Sequence, residues 1–216
     1  DIVYHPLNNS IVYMCGDGGI YRSTNNGDDW VDLNNNLAIT QYYKIATNPG
    51  MGLGGLENVM IGGTQDNGTN MRGISGGSGF SLIKGADGMD CYIDPDNPST
   101  FVVSIQDGEF YFSSDAGASF GFVCNPNSLS NAGINVTSSW CTPVAEVTGG
   151  NSTFIMGYNP AVRATKIAST IVYTSLGLPA QSFVKTSRAN SNVIFLGDNN
   201  ITISNSTAKN VVNRTL

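Results

Sequence analysis

The chain has 216 residues, and its 10 Lys and Arg against 16 Asp and Glu give a formal charge of −6 at pH 7. This acidic balance argues against a nucleic-acid-binding protein, because neutralising phosphates requires a stripe of basic side chains. Only 12% of the residues are charged and 26 are glycine, and good helix formers are scarce beside Gly, Asn, Ser and Thr, so the composition excludes helical bundles and doubly wound α/β folds.

The first elements along the chain are short strands separated by tight turns. Residues Ile11–Cys15 are apolar almost continuously, as in a strand that is buried on both faces. Asp17-Gly18 follows and supplies the positive φ that a two-residue hairpin turn needs. The sequence therefore predicts a hairpin between Ile11–Cys15 and Ile20–Ser23, followed by a third strand at Trp30–Leu33.

The turn between the second and third of these strands spans residues 23–30. It places Ser23, Asn25, Gly27 and Trp30 at a spacing whose chemistry can be explained. The Asn25 side chain can accept hydrogen bonds from the backbone amides of its own turn, and Gly27 permits a left-handed conformation. Trp30 is expected to pack on the strands below it. The segment therefore predicts a structural turn that needs no metal.

A second copy of this eight-residue turn lies at residues 113–120, an offset of 90 residues. It keeps Ser113, Asp115, Gly117 and Phe120 at the same spacing. A degenerate third copy at residues 198–206 lacks both the glycine and the aromatic residue. We name the two well-formed copies, residues 23–30 and 113–120, the octads.

Turns recur near residues 17, 67, 107, 159 and 199, since two further hairpins lie between the copies. The mean spacing of about 45 residues is that of a four-stranded propeller blade. We therefore predict an all-β chain of four-stranded antiparallel blades that form a β-propeller. The predicted divisions are blade ends at 1–37, blades at 38–84 and 85–124, an insertion at 125–140, a blade at 141–178 and a partial blade at 179–216.

The first and last blades are predicted to be incomplete. Only three strands are expected before Tyr42, and about three fit after Ser182. A propeller closes into a disc, because an open edge strand invites pairing with other chains. We therefore expect these residues to be a fragment of a larger propeller of about seven or more blades.

The octads resemble the Asp-box, also called the BNR repeat, of sialidases, sortilin-type receptors and related propellers. Residues 33–43, 61–69 and 87–95 are similar to segments of large secreted bacterial Asp-box proteins, many of which are exported by type IX secretion. The resemblance covers most of residues 1–123. It implies a β-propeller fold and a secreted or cell-surface location, and it says little about the ligand.

Candidate binding residues lie where predicted strands begin or turn. Asp87 and Asp90 come just before and at the start of an inner strand, which positions them to face the central channel. Gln65 and Asp66 lie at a hairpin turn, and Trp140 ends the long insertion. The two carboxylates can bind a cation or a polar ligand or act as paired carboxylates, or they hydrogen-bond neighbouring strand ends. No catalytic residue, metal site or cofactor is predicted.

Sialidase chemistry is the enzymatic alternative that the resemblance implies. Sialidases use three arginines that grip a carboxylate, a tyrosine nucleophile with a glutamate partner, and an aspartic acid. This chain lacks an Arg-Ile-Pro motif, and Arg22 lies in a strand away from the channel. We therefore expect a noncatalytic module that binds a protein or glycan at the cell surface. The alternatives are a carbohydrate-active hydrolase whose catalytic residues lie partly elsewhere, and a structural spacer in a surface assembly.

The expected partners include the remainder of the same polypeptide or a surface assembly, and exclude nucleic acid and a membrane-spanning role, since no apolar run approaches the roughly 18 residues of a span. The four cysteines form no Cys-x-x-Cys pair, which argues against a zinc site. Cys124 and Cys141 flank the insertion and could bridge it as a disulfide. Cys15 and Cys91 lie in apolar segments and are expected to be buried thiols.

Overall fold

The structure is a computed structural model that describes residues 1–35, 37, 40–48, 56, 58–73, 79–147, 152–167, 169–179, 182–187, 189–190, 193–197, 201–205 and 211–214, the last two ranges as backbone only. Within these ranges the chain forms five four-stranded antiparallel sheets, each built from four strands that are consecutive in sequence. We number these sheets 1 to 5 in chain order. Of the third copy at 198–206, residues 201–205 are described as backbone, and residues 198–200 and 206 lie outside the described ranges.

Sheets 1 to 3 take up the first part of the chain. Their strands are β1 Ile2–His5, β2 Asn8–Gly16, β3 Gly19–Ser23, β4 Val31–Asp32, β5 Tyr42–Thr47, β6 Met60–Thr64, β7 Gly68–Arg72, β8 Ser81–Lys84, β9 Gly88–Ile93, β10 Phe101–Ile105, β11 Glu109–Ser113 and β12 Gly121–Cys124. Sheets 4 and 5 contain β13 Val144–Glu146, β14 Thr153–Met156, β15 Val162–Ile167, β16 Thr170–Ser175, β17 Phe183–Thr186, β18 Val193–Gly197, β19 Ile201–Asn205 and β20 Val211–Arg214.

The sheets are arranged as the blades of a β-propeller. The first strand of one sheet contacts the first strand of the next, from β5 to β9, from β9 to β13 and from β13 to β17. The later strands of each sheet follow in order outward from this inner strand. The inner strands of sheets 2 to 5 therefore line a common channel, as the turn spacing predicts for propeller blades, and the fold is all-β.

This arrangement gives the propeller two distinct ends. Since neighbouring strands are antiparallel, the connectors between sheets and the turns between second and third strands lie at one end, which we name the connector end. The turns between third and fourth strands, which contain the octads, lie at the opposite end, named here the octad end.

Three apolar clusters join consecutive sheets. Val59 and Ile61 of sheet 2 pack against Cys91, Ile93 and Phe101 of sheet 3. The second cluster joins sheet 3 to sheet 4, and the third joins sheet 4 to sheet 5. Burial of these residues away from water supplies the main stabilisation between blades.

Sheet 2 shows how local chemistry sets a hairpin. The turn between β6 and β7 holds Asp66 at φ 59° and Gly68 at φ 68°. A Cβ at position 68 would lie 2.3 Å from the backbone oxygen of Lys84, so only glycine fits beside the neighbouring strand.

Sheets 1 and 5 each contain four strands, which differs from the three strands predicted at either end of the chain. In sheet 1 the unpredicted strand is Ile2–His5, which pairs with β2. Ile2, Val3 and Tyr4 are more than half exposed, so this strand carries no buried face whose periodicity would reveal it.

The insertion predicted at 125–140 packs on the core through its first half. A short helix, α1 Pro126–Asn131, is stabilised by a capping box between Asn125 and Ser128. Leu129 is fully buried in the cluster between sheets 3 and 4. The second half is tied to sheet 4 by an antiparallel bridge between Thr137 and Asn159.

The cysteines also correct two predictions. Cys124 and Cys141 are both free thiols, so the possible disulfide across the insertion is not formed. The Cys124 Sγ lies 3.4 Å from Met156 Sδ and 3.6 Å from Tyr158 Oη, inside the core between sheets 3 and 4. Cys91 is buried as predicted, whereas Cys15 is exposed.

A search for helices in the described ranges finds none with the length and apolar character needed to cross a membrane.

Candidate functional site

The two octads are structural turns that saturate their own polar groups. In the second octad the Ser113 hydroxyl donates to Asp115 Oδ1 at 2.7 Å and accepts from the Gly117 N–H at 2.9 Å. Asp115 Oδ1 accepts from the Ser119 N–H at 2.9 Å, and the Ser119 hydroxyl donates to Asp115 Oδ2 at 2.6 Å. These bonds from Ser119 and Ser113 lower the pKa of Asp115 to about 2.

The first octad repeats this network with an amide in place of the carboxylate. Ser23 donates to Asn25 Oδ1 at 2.9 Å and accepts from the Gly27 N–H at 2.9 Å, while Asn25 Oδ1 accepts from the Asp29 N–H. Gly27 and Gly117 have φ angles of 100° and 85°, the left-handed region predicted for them.

The aromatic residues of the octads differ in burial. Phe120 packs against the cluster between sheets 2 and 3, whereas Trp30 is 38% exposed and contacts its own Gly27. Both octads lie at the octad end. Their polar side chains are engaged within the turn, so they stabilise the fold and offer little to a ligand.

A chain of hydrogen bonds crosses the connector end and joins sheets 1 and 2 to the insertion. The Trp140 indole N–H donates to Tyr43 Oη at 3.1 Å, and Tyr43 Oη donates to Gln65 Oε1 at 3.3 Å. Gln65 Nε2 in turn donates to Asp17 in the hairpin turn of sheet 1. Trp140 remains 49% exposed although its polar atom is bound. The structure thus brings the predicted residues Gln65 and Trp140 into one network.

Three carboxylates lie beside this network. Asp87 Oδ1 accepts from the Asp66 N–H at 2.6 Å, and the Asp87 N–H donates to Gln106 Oε1 at 3.1 Å. The Asp66 side chain is exposed and hydrogen-bonds Asp17. That bond raises the pKa of Asp66 first, followed by burial and by the charges of Asp17 and Asp87.

An aromatic groove lies next to Asp66 on sheet 2, with a cavity volume of about 600 Å³. The rings of Tyr42 and Phe80 line it with centroids 6.3 Å apart, tilted by 56°. Leu82 and Asn67 also line the groove and add an apolar and an amide side chain to its wall. Tyr42 is 37% exposed and Phe80 45% exposed, so both rings are accessible to solvent.

Asp90 lies apart from the other predicted residues. Its side chain is buried between sheets 3 and 4, where Oδ1 accepts from the Cys91 N–H at 2.8 Å and Oδ2 from the Val144 N–H at 3.0 Å. This matches the interpretation in which the carboxylate binds a neighbouring strand. Burial raises the pKa of Asp90, and the two backbone bonds and the charge of Lys44 oppose that rise.

A second cavity, of about 300 Å³, lies in the channel between the inner strands β5, β9, β13 and β17. We name it the channel cavity. Its charged lining residues are Lys44, Asp90, Glu146 and Lys185, one from each strand. Sequence reasoning missed the other three, because each is an isolated charge in a different segment and only the closure of the blades brings them together.

Among these groups, Glu146 has a strongly raised pKa. It is 4% exposed, and its Oε2 atom has no hydrogen-bond partner among the described residues. Burial raises the pKa of Glu146 to about 8, and hydrogen bonding with Asp94 adds to the rise while Tyr92 opposes it. Glu146 is therefore mostly protonated at neutral pH.

No family model and no curated protein sequence matches the chain. Among solved structures, the chain is similar to a GH74 enzyme of Niastella koreensis, with a TM-score of 0.56 and 15% identity over 98% of this chain and 30% of that one. It is also similar to the GH74 xyloglucanase of Xanthomonas campestris, with a TM-score of 0.54 and 14% identity over 98% of this chain and 37% of that one.

A third similar structure is an auxiliary nutrient binding protein of Bacteroides thetaiotaomicron, with a TM-score of 0.53 and 12% identity over 98% of this chain and 56% of that one. The chain thus spans from 30% to 56% of the length of these three structures. They are β-propeller proteins, and at this level of identity the likeness shows the fold alone.

Proposed function

We propose that this propeller is a noncatalytic binding module of a secreted or cell-surface protein and that it binds a glycan in the aromatic groove of sheet 2, which extends from the turn at Asp66 to Phe80. The observation that carries the proposal is the groove in which the exposed rings of Tyr42 and Phe80 stand beside Asn67 and the Asp66 carboxylate. The binding residues are Gln65, Asp66, Asp87 and Trp140 from the connector end together with these two rings.

The chemistry of the groove suits a sugar. Aromatic rings present a large apolar face at low conformational cost, against which the C–H face of a sugar ring can pack. Carboxylate and amide groups at the rim then accept and donate hydrogen bonds to hydroxyl groups. Trp140 is a third exposed ring and lies at the connector end, and its bond to Tyr43 holds the indole in one orientation.

The location is supported by composition and by the resemblance of the octads to the Asp-box of secreted propellers. The similar structures include an auxiliary nutrient binding protein and a GH74 xyloglucanase, so both ligand binding and glycan hydrolysis are compatible with this fold. Export by type IX secretion is part of the proposal and rests on the resemblance alone.

The proposal is tested by the affinity of the chain for xyloglucan and for a panel of other neutral oligosaccharides. Tyr42→Ala and Phe80→Ala are expected to weaken the tightest interaction by about tenfold or more, since each removes a stacking ring. The matched control is Phe122→Ala, which removes a 49% exposed ring that packs on Tyr111 in sheet 3. The same affinity in all three variants as in the wild type, or no binding of any oligosaccharide in the panel, would reject glycan binding in the groove.

Hydrolysis is the second candidate, and one observation favours it. Asp66 and Asp87 are adjacent carboxyl groups, and the raised pKa of Asp66 is the property that a general acid needs. An activity screen on the same glycans decides between the two: release of reducing sugar that is lost in Asp66→Asn or Asp87→Asn would establish catalysis and overturn the noncatalytic module.

A further inference from the structure

The lysines of this acidic chain are divided between two surroundings. Of the four lysines with described side chains, two are engaged with aromatic rings: Lys84 Nζ lies 3.5 Å from the centre of the Tyr111 ring, and Lys166 Nζ lies 4.0 Å from that of Phe112. The other two, Lys44 and Lys185, line the channel cavity. Both are exposed, so their ammonium groups are open to a solute.

The two channel lysines approach the cavity from opposite sides. Lys44 lies on β5 and Lys185 lies on β17, and the strands β9 and β13 stand between them. The charges of both lysines act on the buried Asp90 carboxylate. Both lysines therefore lie within electrostatic reach of Asp90 in the same cavity, although they are 141 residues apart in sequence.

The acidic groups of the cavity do not cancel this positive charge. Asp90 is committed to the N–H groups of Cys91 and Val144, and it offsets at most one of the two lysines. Glu146 carries little charge at neutral pH, because burial raises its pKa to about 8. Among the residues that line the cavity the charge is therefore positive by about one, in a chain whose net charge is −6, while the carboxylates of Asp94 and Asp96 act on Glu146 from outside this lining.

The free oxygen of Glu146 indicates that a ligand is expected here. An unpartnered buried polar atom destabilises the folded protein, and a hydrogen bond with a ligand would remove that penalty. The atom is Oε2 of Glu146, and the residue lines the same cavity as the two lysines.

We propose that the channel cavity binds a small carboxylate-bearing anion, with Lys44 and Lys185 contacting the carboxylate and the Glu146 side chain hydrogen-bonding it through Oε2. The volume of about 300 Å³ admits a sugar acid or a dicarboxylate. The channel cavity shares no lining residue with the aromatic groove of sheet 2, so the test of one proposal does not depend on the other.

The test is calorimetric titration of the full chain at low ionic strength with glucuronate and with malonate. Glucose serves as the neutral counterpart of glucuronate. We expect both acids to bind and glucose not to bind in the cavity. Lys44→Gln and Lys185→Gln are each expected to weaken the acids by about tenfold, and a rise in ionic strength is expected to weaken them further.

Lys84→Gln is the control, because it removes the same charge from a lysine held on Tyr111 outside the cavity. It is expected to leave the affinity for both acids unchanged. Three results would overturn the proposal: no binding of either acid, equal binding of glucose and glucuronate, or the same loss in the Lys84→Gln control as in the cavity variants. Binding of malonate alone would identify a dicarboxylate rather than a sugar acid.

A pH series separates the role of Glu146 from that of the lysines. The wild-type affinity is expected to fall as the pH rises from about 7 to about 9, because Glu146 becomes a carboxylate that repels the anion. In Glu146→Gln the group cannot ionise, and this fall should disappear. The titratable and charged groups that face Glu146 from the neighbouring elements are Asp90, Tyr92, Asp94, Asp96, Lys44 and Lys185. A fall of equal size in the variant would assign the pH dependence to one of these and remove Glu146 from the site.

Discussion

Ser113 is the residue on which the second octad depends. Its side chain is buried, and its hydroxyl donates to Asp115 and accepts from the N–H groups of Asp115 and Gly117. A hydroxyl is small enough to sit under the turn and supplies a donor together with two acceptor sites. Serine is therefore the residue at which a small change has the largest effect on the turn.

We predict that Ser113→Ala lowers the free energy of unfolding by about 1–3 kcal/mol, because two N–H groups and one carboxylate oxygen each lose a partner. Urea denaturation followed by tryptophan fluorescence measures the change. The control, Ser114→Ala, alters an exposed side chain one residue away and should stay within about 0.5 kcal/mol of wild type. If the two variants were equally stable, the hydroxyl network would not stabilise the turn.

Glu146 gives the stability of the protein a pH dependence. Its folded pKa of about 8 lies above the value of about 4.3 for an unfolded glutamate, so the native state binds the proton more tightly. Stability from this group is complete below about pH 4 and is lost as the pH rises towards 8.

We predict that Glu146→Gln is more stable than wild type by more than about 1 kcal/mol at about pH 9, and that the difference vanishes below about pH 4. Thermal unfolding across this range measures it. A stability difference between variant and wild type that stays the same across this pH range would contradict a raised pKa for Glu146.

At the scale of elements, the helix α1 shows that the insertion belongs to the core. Asn125 and Ser128 hydrogen-bond each other's backbone at the start of the helix, and Leu129 is fully buried against the cluster between sheets 3 and 4. A helix of six residues is too short to be stable alone, so tertiary packing must hold it.

We predict that Leu129→Ala destabilises the protein by about 2–5 kcal/mol, the usual cost of emptying a buried leucine site. The measurement is the midpoint of thermal or urea unfolding. Leu7→Ala removes the same atoms from a side chain that is 91% exposed and should change the midpoint little. A small effect at Leu129 would show that α1 detaches from the core at low cost.

The elements that the sequence predicts best are those whose signal is local. The octad bonds join residues at most four apart, and the hairpin turns at Asp17 and Asp107 recur at a spacing that indicates the blades. The strand Ile2–His5 escapes prediction because both of its faces are exposed. Helix α1 escapes it because Asn and Ser have weak helical propensity, and Pro126 at the first turn is its one clear start signal.

At the scale of the whole molecule, Asp90 joins two blades by hydrogen bonds from one carboxylate. Its Oδ1 caps the Cys91 N–H of its own strand, and its Oδ2 binds the Val144 N–H of the next inner strand. Main-chain groups of β13 that would otherwise be buried without a partner are satisfied in this way.

We predict that Asp90→Asn destabilises the protein by about 1–3 kcal/mol, since the amide would turn a donor towards one of two N–H groups. Hydrogen exchange of the Val144 amide provides a local readout, because its protection should fall in the variant. Asp107→Asn, at an exposed turn, is the charge-matched control. Unchanged exchange at Val144 would contradict a role for Asp90 between the blades.

The candidate site was predictable only in part. Gln65, Asp66, Asp87 and Trp140 lie in turns and connectors, and topology places such segments at one end of a propeller, so their proximity follows from the fold. The charges of Lys44, Glu146 and Lys185 become neighbours only when separate blades close around the channel. A single sequence does not show which residues of separate blades become neighbours, whereas a turn motif can be recognised from a few consecutive residues.

The construction of each sheet from four successive strands has a consequence during synthesis. A ribosome releases the amino-terminal residues first, at about 5–20 residues per second. The strands of one sheet can therefore pair before the next sheet has been translated. The docking of one sheet on the next occurs only after both have been translated. An example is the edge-to-face contact between Phe110 of sheet 3 and Tyr158 of sheet 4, whose ring centroids are 5.7 Å apart. During synthesis each finished sheet will therefore expose its apolar face until the next sheet docks on it. These faces become exposed in a fixed order, and chaperones would encounter them in that order.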